Sequence, residues 1–100
     1  MVYLTQLIFV KPGKESIFHQ FEDFVIPLME RHGGRMIYRV RPSAHSFVSA
    51  EEKRPYEIHF VSFESEEGFQ AYMKDETRRQ YMHLKDDSVE SIMLVKGTQL

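Results

Sequence analysis

The apolar residues of this chain change their spacing along its length, from alternate positions to every third or fourth and back, and the order of those changes leaves few folds open. Met1 to Val10 is rich in strand formers, with apolar groups on both faces, which suits a central strand. Lys11-Pro12-Gly13-Lys14 breaks it with a turn. From Glu15 to His32 the spacing is helical: Ile17, Phe21, Phe24, Val25 and Leu28 form a stripe that Phe18 and Met29 widen, with Glu22, Asp23 and Glu30 largely off it. Pro27 lacks the N–H that would bond the Asp23 carbonyl, so a kink or break is expected there. Gly33-Gly34 ends the helix.

Arg35 to Arg41 alternates again, with Met36, Tyr38 and Val40 on one face and Arg35, Ile37, Arg39 and Arg41 on the other. Pro42 to Arg54 is long for a hairpin connection. Tyr56 to Phe63 is a third strand, in which Tyr56, Ile58 and Phe60 alternate with Glu57, His59, Val61 and Phe63. Ser65 is an expected N-cap for a helix carrying Phe69, Tyr72 and Met73, and Asp75 an expected cap for a second piece reaching about Lys85. Val89 to Lys96 is the last strand, closed by Gly97.

The order β, α, β, β, α, β, with the second helix in two pieces, is met most economically by a ferredoxin-like α+β domain over residues 1–100. Its antiparallel sheet has strand order 4-1-3-2, with helices on one face. That leaves the other face bare. Alternation places Arg39, Arg41, Glu57 and His59 there, together with Ile37, Val61 and Phe63. An apolar set of that size calls for cover, and a second copy of the sheet supplies it with two-fold symmetry.

Composition narrows the partners. A net charge of −2 gives no electrostatic reason for nucleic acid. The absence of cysteine removes disulfides, thiol chemistry and cysteine-bound metals. No apolar run approaches a membrane span, and no signal-peptide pattern opens the chain, so a cytoplasmic protein is expected.

Several short motifs resemble one family. His32-Gly33-Gly34-Arg35 with Arg39 is similar to the HGGR…R signature of DUF1330, and Pro27-Leu28 precedes it as in that family's helix. Val61 to Ser65 resembles the family's EFPS turn, with Phe63 and Ser65 aligned but Ser62 and Glu64 replacing its acid and its proline. Arg79-Gln80-Tyr81 and Leu94-Val95-Lys96-Gly97 resemble later landmarks, whereas Arg41-Pro42-Ser43 departs from the RGG that follows the second strand. The resemblance implies a dimeric α+β barrel. That superfamily also holds antibiotic-biosynthesis-type monooxygenases, haem-degrading enzymes and lactone isomerases, and fold alone selects no reaction among them. The Asn, His and Trp set of the haem-degrading members is missing, since this chain has neither Asn nor Trp.

The densest polar cluster is Arg39, Arg41, Glu57 and His59. Pairing the second and third strands puts all four on one face. The arginines offer planar donors to an anionic group, and His59 is the candidate base, oriented by Glu57. Tyr72 could turn its hydroxyl into a pocket between sheet and helices. The competing reading is a set of cross-strand ion pairs. No His pair has metal-ligand spacing, so no metal and no cofactor is expected. The function expected is binding of a small polar or anionic molecule. The alternatives are a cofactor-independent monooxygenase or isomerase and a structural dimer.

Overall fold

The computed structural model describes residues Met1–Leu100. Four strands, β1 (Val2–Val10), β2 (Gly34–Val40), β3 (Glu57–Phe63) and β4 (Val89–Gly97), form one antiparallel sheet in the order β2-β3-β1-β4. This is the expected order read from the other edge. Four α-helices accompany them: α1 (Glu15–Val25), α2 (Glu66–Met73), α3 (Glu76–Arg79) and α4 (Met82–Ser88). The fold is the ferredoxin-like α+β arrangement, with the second helical region in three pieces where two were expected.

The expected break at Pro27 is a change of helix type. α1 gives way to a 3₁₀ segment, Ile26–His32, with Pro27 in its first turn. A proline at that place forfeits no bond the segment needs. Gly33 closes it at φ 73°, a conformation cheap only for glycine. Ser65 caps α2 by accepting from the Gly68 N–H, and Asp75 caps α3 by accepting from the Thr77 and Arg78 N–H groups.

The two sheet faces are the reverse of the sequence expectation. Glu57, His59, Val61 and Phe63 are all buried and lie under the helices. Val61 and Phe63 pack with Leu4, Leu28, Met29, Phe69 and Tyr72 in the larger apolar cluster. They are therefore core, not dimer surface. The bare face carries Tyr3, Tyr38 and Phe60, whose rings stack across three strands at 5.8 and 6.1 Å. Strand alternation sorts residues into two sets but does not say which set the helices cover, and here both sets are apolar. An irregularity in the β2–β3 pairing between Met36 and Tyr38 adds to the reversal. It puts Met36, opposite Val61, on the same face as Arg39, opposite His59. Ile37 stands at the irregularity, outside the paired register.

α1 also turns differently from expectation. Its buried residues are Phe18, Phe21, Glu22 and Val25, while Phe24 is exposed and stacks on Tyr81 at 4.2 Å. Glu22, expected off the stripe, sits within it.

Candidate functional site

The site is a seam between two apolar clusters. Ile8, Val10 and Phe18 form the smaller one. Along β3, His59 precedes the core residues Val61 and Phe63 on the same face. Along α1, Glu22 lies one turn after Phe18. The two side chains meet where the clusters part: His59 Nε2 is 4.0 Å from Glu22 Oε2, with the residues 2% and 6% exposed.

Beside His59 stands Glu57, 0% exposed, on the same ring nitrogen that Glu22 approaches. Its Oε1 accepts from Arg39 Nε at 2.5 Å and lies 2.6 Å from His59 Nε2. Its Oε2 accepts from Arg41 Nε at 3.1 Å and Nη2 at 2.9 Å. Burial is the largest influence on the Glu57 carboxyl and pushes it up. The hydrogen bonds from His59, Arg39 and Arg41 together outweigh burial and hold it at about 2. Glu57 is thus ionised and accepts only, so His59 Nε2 carries the proton it shares with Glu57. The Arg41 guanidinium also lies over the Tyr56 ring, 5.3 Å from its centroid. The Tyr56 hydroxyl in turn shares a hydrogen bond with His19 Nε2 at 2.6 Å.

Glu22 has the opposite balance. Burial raises its carboxyl to about 7, Glu57 adds to the rise, and His59, Arg39 and Arg78 only partly offset it. A carboxyl that titrates near neutrality beside an imidazole can give or take a proton at physiological pH.

Glu22 and His59 line a cavity of about 60 Å³ between sheet and helices. Its wall is mostly apolar, with Leu4, Ile8, Val61 and Phe69 among the lining and three flexible methionines, Met29, Met36 and Met73. Tyr72 reaches it from α2, where its hydroxyl donates to the Val25 carbonyl at 3.1 Å. Burial raises the Tyr72 phenol, with Arg78 opposing.

The structure therefore brings His59 and Tyr72 to one cavity and Arg39, Arg41 and Glu57 to one ion-paired network behind it. Arg39 and Arg41 do not line the cavity. Sequence reasoning missed Glu22 and Arg78. For Glu22 a signal existed, since Phe18, Phe21, Glu22 and Val25 follow i, i+3, i+4, i+7. For Arg78, on a four-residue helix, none did.

Glu22, Glu57 and His59 place donor atoms within 4.8 Å of one another, a spacing that can serve a metal ion. Two guanidiniums already occupy Glu57, and their charge opposes a cation there. The donor set fits an ion-pair network better than a metal.

No family model matches this chain, and no curated protein does. Solved structures do. RPA0582, a protein of unknown function from Rhodopseudomonas palustris, superposes with a TM-score of 0.84 at 15% identity over 99% of this chain and 80% of that one. A proposed antibiotic biosynthesis monooxygenase from Nitrosomonas europaea gives 0.73 at 14% identity over 100% and 99%. A protein of unknown function from Bacteroides fragilis, described as dimeric and ferredoxin-like, gives 0.69 at 12% over 96% and 93%. At these identities the likeness is one of fold.

Proposed function

We propose that this chain is a dimeric α+β barrel protein that takes a small molecule with an apolar body into the cavity between sheet and helices. The observation that carries this reading is the Glu22–His59 pair: two buried titratable groups, 4.0 Å apart, facing a mostly apolar cavity. A core with no ligand to meet gains nothing from an acid at that position, because burying it costs more than burying a leucine. Arg39, Arg41 and Glu57 then act as the support that fixes the His59 ring, rather than as direct ligand contacts.

The same pair favours a second reading, an enzyme that moves a proton on its ligand. Ionised Glu57 accepts from His59 Nε2, the same nitrogen that lies 4.0 Å from Glu22, and Glu22 is the group that exchanges a proton at the cavity. A phenol or an enol suits such a pair, having one acidic O–H on an apolar frame. The Nitrosomonas neighbour is described as a proposed monooxygenase, and proton removal is the step that this chain's residues could supply in such chemistry. The DUF1330 resemblance agrees with the fold and adds no reaction. The proposed dimer uses the bare sheet face, and the Bacteroides neighbour described as dimeric supports it.

Methyl-labelled methionine gives a direct test by NMR. Titration with phenol is expected to shift the Met29, Met36 and Met73 methyls, which line the cavity, and to leave Met93 on β4 unmoved. No shift at the three cavity methionines would refute the reading.

A further inference from the structure

We propose that Arg78 is the anion-holding residue of this cavity, and that the molecule taken up there is a small organic carboxylate with an apolar body. The inference rests on the cavity reading above and adds the chemical class of its ligand.

Arg78 is 7% exposed and lines the same cavity as Glu22, His59 and Tyr72. Its Nε is the one buried side-chain nitrogen or oxygen in the chain without a hydrogen-bond partner. No carboxylate stands within ion-pair distance of its guanidinium. The other arginines that reach inward do have such partners: Arg39 and Arg41 both hold Glu57. What Arg78 touches is the face of Tyr72, with its guanidinium carbon 5.0 Å from the ring centroid. Such a contact orients the charge without neutralising it.

A guanidinium cannot shed its proton to escape burial, unlike a lysine or histidine. A buried cation with no counter-ion in direct contact is costly, and native structures rarely leave one so. Nearby acids do not fill the role. Asp75 is engaged with His32 and with the first N–H groups of α3. Glu22 faces the same cavity but pairs with Arg78 in no direct contact. The missing partner is therefore sought in the ligand. A carboxylate matches the planar fork with two parallel hydrogen bonds. An apolar body matches the rest of the lining. A phosphate fits less well, because one arginine beside Glu22 would have to hold a second negative charge.

The test compares butyrate with butyramide, its neutral counterpart of the same shape, by NMR titration of the wild-type protein. Butyrate is expected to bind roughly ten-fold tighter or more, the range for a charged hydrogen-bonded pair. Arg78→Met is expected to abolish that preference while keeping butyramide affinity, and Arg78→Lys to restore part of it. Equal binding of the two compounds to the wild type overturns the Arg78 assignment, even if Arg78→Met does not fold. If phenol still shifts Met29, Met36 and Met73 in that case, the cavity reading stands without it. No binding of butyrate, butyramide or phenol overturns both.

Discussion

Burial pushes the carboxyls of Glu22 and Glu57 in the same direction, and their partners separate them. Glu57 has three donors and stays ionised; Glu22 has a histidine at 4.0 Å and rises to about 7. The consequences for stability have opposite sign. An acid whose folded value lies above its unfolded one holds more protons in the native state between the two, so Glu22 lowers stability as pH climbs from about 4.5 to about 7. The full shift corresponds to on the order of 3 kcal/mol. Glu22→Gln is therefore expected to raise the urea midpoint relative to wild type at pH 8, with the gain vanishing near pH 5. A gain of equal size at both would contradict the assignment. Glu57, held at about 2, stabilises above about 4.5 and loses that contribution as pH falls toward 2. Glu57→Gln leaves two guanidiniums short of their charge partner and is expected to cost about 3–5 kcal/mol in urea unfolding at pH 7. Substitution at an exposed acid such as Glu51 should change little. The grouping of Arg39, Arg41, Glu57 and His59 was legible because alternation and pairing fix which residues share a face. That Glu57 would consume both arginines was not, since it depends on side-chain reach across β2 and β3.

At the scale of elements, the sequence disclosed the strands, the Pro27 break and the caps at Ser65 and Asp75, because each rests on local chemistry. It concealed which sheet face the helices cover and how α1 is rotated, because those are decided by packing between distant segments. Gly68 illustrates the difference. A Cβ there would stand 2.3 Å from the His32 carbonyl oxygen, so the absence of a side chain lets α2 pack against the 3₁₀ segment. Gly68→Ala is expected to destabilise by about 1–3 kcal/mol, read as a lower thermal midpoint, although alanine is the better helix former. An unchanged or raised midpoint would show that the two segments are not so closely fitted. Between β2 and β3, Glu51 to Arg54 are fully on the surface. Limited proteolysis should cut there first, and early cutting within β3 would contradict its place inside the sheet.

As a whole the molecule is a slab 36 × 36 × 16 Å, one sheet under one layer of helices. No helix is long and apolar enough to cross a membrane. The open sheet face carries Tyr3, Phe60 and Tyr38, the last 65% exposed, with Met93 and Val95 of β4 also exposed. Covering aromatic and aliphatic groups of this size is favourable by roughly 1.5–3 kcal/mol each, and a two-fold contact counts each of them twice. Sedimentation at micromolar concentration is expected to give about twice the 11.9 kDa chain mass. Tyr38→Glu should shift it toward monomer while leaving the core intact. The expectation of a sheet-to-sheet dimer thus keeps its logic and changes its residues. Phe63, expected on that face from strand alternation, is 1% exposed within the core, and its substitution would report on folding instead.

The central claim is that Glu22, buried beside His59, exchanges a proton at a cavity that accepts a ligand. The most direct measurement is the titration of the Glu22 side-chain carboxyl carbon by NMR, in the free protein and with phenol at saturation. The account predicts a midpoint of about 7 in the free protein and a displaced midpoint when phenol occupies the cavity. A midpoint in the ordinary carboxylate range near 4.5, unmoved by phenol, would contradict it.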